Sequence, residues 1–170
     1  LSCGNRDDSD NVSAAVLGHG ESVVEVAVPT PIPALQGVRI RTVAASKNIS
    51  LAVSEAGRLY SWGDGWLGHG ANEEDEEEPL FTPTPIAALS AVRVRSVAAG
   101  EAHCLAVTTS GALYSWGVGG DGQLGHGDEH ERLLPTRVEG LPERVHSVAA
   151  GAATASLSPP PAPSTRGASA

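Results

Sequence analysis

Residues 97–138 read VAAGEAHCLAVTTSGALYSWGVGGDGQLGHGDEHERLLPTRV, and four of their motifs recur in the chain in one order. Leu-Tyr-Ser-Trp-Gly occurs at 59–63 and again at 113–117, a step of 54 residues. Val-Ala-Ala begins at 43, 97 and 148, Leu-Gly-His-Gly at 17, 67 and 124, and Pro-Thr at 29, 83 and 135. Such self-similarity is typical of proteins that stack one structural unit several times.

Each unit predicts about four short β-strands. Residues 38–41 and 92–95 alternate apolar with charged side chains, which is the period of a strand with one solvated face. A hairpin is expected next, over 51–62 and 105–116, where a glycine can supply the positive φ of a tight turn. Residues 117–127 read as a glycine-rich loop and 135–138 as an edge strand in which proline is tolerated. Four such strands make one blade of a β-propeller.

The best copy of the repeat resembles a known family. Its elements are Val-Ala-Ala-Gly-x-x-His-x-Leu-Ala-Val, Gly-x-Leu-Tyr-Ser-Trp-Gly, Gly-Gln-Leu-Gly-His-Gly and Pro-Thr, and in this order they resemble the repeat of the regulator of chromosome condensation family. The resemblance covers roughly residues 17–151 and implies an all-β propeller that typically closes seven blades into a ring. The chain would then be an open, partial propeller of about three blade units, a fragment of such a ring.

The predicted organisation has three parts. Residues 1–16 are expected to be a loose N-terminal segment, and residues 17–157 hold the repeats, as two near-complete blades plus parts of a third. Residues 158–170 are rich in Pro, Ala and Ser and are expected to be disordered. The start at Leu1 and the absence of methionine also favour a fragment.

Composition excludes several classes of protein. Twenty acidic residues against 11 basic ones give a net charge of −9, which does not favour direct binding to nucleic acid. Cys3 and Cys104 lie far apart without a CxxC spacing, so we expect two reduced thiols and no zinc site. No apolar run approaches the ~20 residues of a membrane span, and no signal peptide is apparent. We therefore expect an intracellular protein, cytoplasmic or nuclear, without a membrane partner.

Several repeated residues have a structural interpretation. Trp62 and Trp116 end matched strands and are expected to anchor each blade. The resemblance implies that His103 is the family's packing and hydrogen-bonding blade histidine. The histidines of Leu-Gly-His-Gly fall on successive blades without a repeating Cys or carboxylate neighbour, which favours a structural role over a metal site. The glycines counted with these structural residues are Gly63, Gly117 and Gly125.

Two features have no counterpart in the other units and are candidates for partner contact. Trp66 stands where Gln123 stands in the next unit, and a lone loop aromatic is favoured at interface hot spots, so we expect it to be exposed. An acidic run follows the second Leu-Gly-His-Gly, and it is either a solvated loop or a docking surface for a basic partner. Its residues are Glu73, Glu74, Asp75, Glu76, Glu77 and Glu78.

The sequence contains no nucleophile elbow, P-loop or set of metal ligands, so we expect no enzyme activity, cofactor or metal. The leading hypothesis is a protein-interaction scaffold or regulatory module, with self-association through unpaired blade edges as a further expectation. One alternative is part of a guanine-nucleotide exchange factor for a Ran-like small GTPase, the activity of the family's founding member. Another is the substrate or regulatory propeller of a ubiquitin ligase. The plant ultraviolet-B photoreceptor shares the repeat, but its Gly-Trp-Arg-His-Thr motif is replaced here by Gly-Glu-Ala-His-Cys at 100–104, which argues against light sensing.

Overall fold

The computed structural model describes residues 1–5, 15–23, 25–70 and 79–159, and within them the chain forms twelve β-strands and three short 3-10 helices. The helices are Ala15–Leu17, Pro33–Leu35 and Ala87–Leu89. The strands are Ser2–Asn5 (β1), Glu25–Thr30 (β2), Ile40–Ala45 (β3), Ile49–Ser54 (β4), Leu59–Gly63 (β5), Leu80–Pro85 (β6), Val94–Ala99 (β7), His103–Thr108 (β8), Leu113–Gly117 (β9), Arg132–Arg137 (β10), Ser147–Ala150 (β11) and Ala155–Ser158 (β12).

Two four-stranded antiparallel sheets form complete blades, in the orders β3-β4-β5-β6 and β7-β8-β9-β10. Their registers match, because Leu51 lies opposite Ser61 in the first blade as Leu105 lies opposite Ser115 in the second. The turns between the second and third strands contain Gly57 at φ 84° and Gly111 at φ 85°, in the left-handed region that favours glycine. The prediction of an all-β partial propeller is confirmed.

Two two-stranded sheets flank the complete blades. In the first, Ser2 lies opposite Thr30, as Ser61 lies opposite Thr84 in the first complete blade. The pair β1–β2 therefore has the register of the third and fourth strands of a blade. In the second sheet Val148 lies opposite Leu157, the register of Val97 with Ala106. The pair β11–β12 corresponds to first and second strands, and we call the two pairs the N-terminal and C-terminal half-blades.

The N-terminal half-blade corrects the expectation of a loose segment over residues 1–16. Ser2–Asn5 form β1, and Ala15–Leu17 form a 3-10 helix that touches β5 and β6 of the first complete blade. Repeat geometry explains this order, since β1 pairs with β2 in the register of the third and fourth strands of a blade, which satisfies the backbone polar groups on that side of β1. Residues 6–14 lie outside the described part of the chain. At the other end Ser158 belongs to β12, and residues 160–170 of the predicted tail lie outside the description.

Strand boundaries also differ from the sequence prediction. The alternating segments 38–41 and 92–95 only begin the first strands, which start at Ile40 and Val94 and continue through Val-Ala-Ala. Small alanine side chains fit here because the first strand of one blade packs on the sheet of the blade before it. The fourth strand of the second blade likewise begins at Arg132, before the expected Pro135.

The core lies between blades. One buried cluster joins Leu51 and Val53 of the first blade to Val94, Ala106 and Trp116 of the second. A second cluster joins the second blade to the C-terminal half-blade. Each blade therefore depends on its neighbour for burial, as expected from its small apolar side chains. Among the residues described, no helix has both the length and the apolar character needed to cross a membrane.

Candidate binding surfaces and the repeated contacts beneath them

A serine in each third strand closes the loop that follows. Ser61 donates its hydroxyl hydrogen to the carbonyl of Leu67 at 2.8 Å, and its oxygen lies 2.8 Å from Nε2 of His69. The same arrangement recurs at Ser115, with distances of 2.7 Å to Leu124 O and 2.9 Å to His126 Nε2, and at Ser2 with Leu17 and His19. We call each set a serine clasp.

The clasp fixes the role of the histidine. A serine hydroxyl has one hydrogen, and here it points at a backbone carbonyl, so the Nε2–H of the ring must be the donor to the serine oxygen. Burial lowers the pKa of His69, and burial together with Arg132 lowers that of His126. Each histidine has its own serine, so the structure places the three rings at separate points of the fold. Within the described residues, no group of His, Cys, Asp or Glu is arranged to hold a metal ion.

A tryptophan at the end of each complete blade's third strand reaches back to the unit before it. Trp62 donates its indole N–H to the carbonyl of Val16 at 2.9 Å, and Trp116 donates to the carbonyl of Trp66 at 3.1 Å. A Cβ on Gly68 would stand 2.9 Å from the Trp116 indole nitrogen, so only glycine permits this approach. Trp62 and Trp116 thus each combine a hydrogen bond to the preceding unit with close packing, and their anchoring role stays a prediction.

Gly63 and Gly117 are the last residues of the same strands, directly after the two tryptophans. Both have positive φ, at 122° and 109°, and a Cβ at Gly117 would stand 2.4 Å from the carbonyl oxygen of Ala102. Gly125 also has positive φ, at 74°, but no atom crowds it closer than 3.7 Å. Gly125 occupies the place that Gly68 has in the preceding unit, where a tryptophan of the following blade packs.

His103 is fully buried in β8. Its ring fills the space beside Gly100, where a Cβ would come within 2.3 Å of His103 Cε1. Burial lowers the pKa of His103, and the backbone of Thr154 in the C-terminal half-blade opposes that effect. The ring thus fills space at the junction of the second blade with the half-blade, and the packing and hydrogen-bonding role that the resemblance implies stays a prediction.

Trp66 differs from the expectation of an exposed contact. It is half-buried and packs against the core between the two blades, while its backbone carbonyl accepts the Trp116 hydrogen bond. The physical reason is position, since Trp66 and the equivalent Val16 one unit earlier each lie where the tryptophan of the following blade donates its hydrogen bond. The acidic run at Glu73, Glu74, Asp75, Glu76, Glu77 and Glu78 lies outside the described residues. The two predicted contact features therefore do not form a site that the structure describes.

Exposed and half-buried arginines are the surface feature that sequence reasoning missed. Arg39 and Arg41 precede or begin β3, Arg93 and Arg95 occupy the same places at β7, and Arg144 precedes β11. The alternation of 38–41 and 92–95 contains these arginines, but as a pattern it predicts only a strand. The repeated serine was also visible, as the Ser of Leu-Tyr-Ser-Trp-Gly, but its bond to a loop carbonyl requires the folded loop.

Comparison with protein families supports the repeat assignment. A family profile described as the regulator of chromosome condensation (RCC1) repeat matches residues 56–107 and 110–155, and a second profile of that description matches residues 94–123.

Individual relatives are larger proteins. The chain is 43% identical over 139 residues to the ultraviolet-B receptor UVR8 of Arabidopsis thaliana, covering 79% of this chain and 30% of the relative. It is 41% identical over 145 residues to the E3 ubiquitin-protein ligase HERC2 of Homo sapiens, covering 82% of this chain and 3% of the relative. The chain therefore spans about a third or less of these relatives.

Solved structures share the fold. Human WBSCR16 superposes with a TM-score of 0.73 at 23% identity, covering 94% of this chain and 39% of that one. Prp20p of Saccharomyces cerevisiae, studied for its binding to Gsp1p and histones, superposes with a TM-score of 0.65 at 26% identity, covering 84% of this chain and 36% of that one.

Proposed function

Because the chain belongs to the regulator of chromosome condensation (RCC1) repeat family, we propose that it is a protein-interaction module of a larger regulatory protein and performs no catalysis itself. The serine clasp carries the proposal. A serine nucleophile needs a base that takes its proton. The hydroxyl hydrogens of Ser61 and Ser115 are instead donated in hydrogen bonds to backbone carbonyls. These Ser–His pairs close loops, and what remains for function is the surface that the loops and turns present.

A capture experiment with matched variants tests the proposal. Gly117→Ala would place a Cβ 2.4 Å from the Ala102 oxygen and disrupt the second blade, whereas Gly120→Ala has no atom within 4 Å and serves as control. Proteins retained from a cell lysate by the original chain and by Gly120→Ala, but not by Gly117→Ala, are the expected result. Retention of the same set by all three chains, or of nothing by the original chain, would refute a folded interaction module.

Guanine-nucleotide exchange on a Ran-like GTPase is the second candidate. Its support is the likeness to Prp20p, whose binding to Gsp1p is described, and exchange requires a binding surface and no nucleophile. Release of labelled GDP from Gsp1p should then accelerate on addition of the chain, in proportion to its concentration. An unchanged release rate at a large excess of the chain removes this candidate for these residues.

A place in a ubiquitin ligase is the third candidate, and it rests on the identity to HERC2. The module would then hold a substrate or regulator for a catalytic domain outside these residues. Proteins captured by the chain should carry ubiquitin in cells and lose it when the full-length parent is deleted; no change on deletion would discard this role.

Light sensing is not proposed, because Lys47, Glu101 and Ala152 stand where the photoreceptor motif has its tryptophan.

We also propose that two copies of the chain pair through their half-blades. In a complete blade the second and third strands are neighbours, so β12 of one copy has the register to pair with β1 of another. Applying the register of β8 with β9 brings Leu157 opposite Leu1, and these leucines are 41% and 80% exposed in the single chain. Val43 on β3 is 67% exposed whereas its counterpart Val97 is 8% exposed, because a first strand normally packs on the sheet before it. Pairing would bury all of these side chains.

A further inference from the structure

Seven arginines lie along one edge of the sheets, which we call the arginine edge. The edge consists of the turns between second and third strands, the ends of the fourth strands and the beginnings of the first strands. Its arginines are Arg39, Arg41, Arg58, Arg93, Arg95, Arg137 and Arg144. Among the described residues, the remaining positive side chains are Lys47 and Arg132 on the opposite edge.

Backbone hydrogen bonds make the arginine edge continuous from blade to blade. The amide of Glu55 in the first turn donates to Arg39 O at 2.8 Å, and the amide of Val94 in the next blade donates to Gly57 O of that turn at 2.9 Å. The pattern repeats, since Thr109 N donates to Arg93 O at 2.8 Å and Val145 N donates to Gly111 O at 3.0 Å. The backbone segments of this edge are thus joined from one blade to the next.

Most of these guanidinium groups lack an acidic partner among the described residues. Exposed salt bridges engage Arg39 with Glu55 at 3.9 Å and Arg137 with Glu139 at 3.5 Å. Arg41 donates instead to the carbonyl of Glu55, and Arg95 to that of His146. Within the described ranges, Arg58, Arg93 and Arg144 make no side-chain salt bridge.

The opposite edge has the reverse charge. Its loops contain most of the described acids, and a salt bridge on this edge joins Arg132 to Asp128 at 2.7 Å. The acids are Glu21, Glu25, Asp64, Glu101, Asp121, Asp128, Glu129 and Glu131. The net charge of −9 therefore hides a separation of charge between the two edges.

We propose that the arginine edge docks an acidic segment of a protein partner, which would deepen the proposed interaction function by giving the partner's chemistry. Arginine forks match carboxylates in bidentate geometry. A groove of about 430 Å³ beside Arg137 and Arg144 is also lined by Glu139 and Glu143. Interspersed glutamates suit a peptide of separated carboxylates, whereas a nucleic-acid backbone presents a closely spaced line of negative charge that they would repel.

Fluorescence anisotropy with a labelled peptide of ten glutamates, each separated from the next by one glycine, tests this inference on the full chain. We expect the peptide to bind at low salt, to weaken as salt is raised, and to lose roughly tenfold in affinity in the variant R58Q/R93Q/R144Q, because several exposed ion pairs are removed. Glutamine retains the aliphatic packing of Arg93 against Gly57 and of Arg144 against Gly111. The double variant K47Q/R132Q removes positive charge from the opposite edge and is the control. Once thermal unfolding shows that this variant is folded, it should bind the peptide at least as tightly as the original chain does.

Three outcomes would overturn the inference: no peptide binding, equal loss in K47Q/R132Q, or tighter binding of a 20-base-pair DNA duplex than of the peptide. The triple variant also separates this inference from the proposed function. If R58Q/R93Q/R144Q captures the same lysate proteins as the original chain, the interaction module stands and the assignment of its surface to the arginine edge fails.

Discussion

The indole N–H of Trp116 connects the second blade to the first, so its removal should be costly. Trp116→Phe leaves the Trp66 carbonyl without its strongest donor and leaves space beside Gly68. We expect the free energy of unfolding to fall by about 2–4 kcal/mol, from the lost hydrogen bond and the imperfect packing together. Urea denaturation measures it, with Val28→Ala on an exposed site of β2 as control. A change below that of the control would contradict the anchoring role.

Histidine protonation should make stability depend on pH. Burial lowers the pKa values of His69, His103 and His126 in the folded chain, so the unfolded chain binds protons more readily just below the ordinary histidine value of 6.5. The contribution of the neutral histidines to the free energy of unfolding is therefore fully present above pH 6.5 and decreases as the pH falls below it. Urea denaturation between pH 7.5 and 5.5 should show this decrease, and His103→Asn should reduce the slope. The exposed-site control His146→Gln should not, and an equal slope in all variants would exclude the buried ring as a cause.

At this scale the sequence predicts a residue's role well where the role is repeated. Trp62, Trp116 and the positive-φ glycines are recognisable because their spacing recurs in register with the other motifs. Trp66 is misjudged for the opposite reason: uniqueness in sequence was interpreted as exposure, whereas its backbone position is shared with Val16. A side chain's surroundings at a blade junction depend on the neighbouring blade, which local sequence does not contain.

Single glycines determine whether a blade can form. A Cβ at Gly117 meets the Ala102 oxygen at 2.4 Å, and the backbone there has φ 109°. Strain of the left-handed backbone and the steric clash together should cost about 3 kcal/mol or more in Gly117→Ala. Gly120→Ala in the same loop should change stability by less than about 0.5 kcal/mol. Thermal unfolding compares them, and similar melting temperatures for the two variants would show that the Gly117 turn is adaptable.

The sequence predicts that the strands exist better than it predicts where each strand begins and ends. Hairpins around Gly57 and Gly111 follow from turn chemistry and apolar runs, and both are present. β1 was not predicted because Cys3 stands where other units have tryptophan and because the following loop is longer, since Leu17 follows Ser2 by 15 positions whereas Leu67 follows Ser61 by only 6. Pairing of Ser2 with Thr30 is a non-local contact, which only the folded sheet reveals.

The half-blades give the whole molecule a testable tendency to associate. Leu157→Lys places a charge where β12 would pair with a second copy, whereas Leu134→Lys changes a comparably exposed leucine on the outer strand β10. Light scattering during size-exclusion chromatography should show a molar mass that rises with concentration for the original chain and for Leu134→Lys. Leu157→Lys should remain monomeric. A monomer at every dilution of the original chain would mean that the half-blades do not pair.

The arrangement of two complete blades between two half-blades underlies every proposal above, and hydrogen exchange tests it most directly. Backbone amides of β4, β5, β8 and β9 have paired strands on both sides, whereas β1 and β12 each have one paired neighbour among the described strands. In dilute, monomeric chain we expect the four central strands to exchange at least roughly 100-fold more slowly than β1 and β12, since exchange follows local opening. Uniform exchange across all of these strands, or rapid exchange in β8 and β9, would contradict the account.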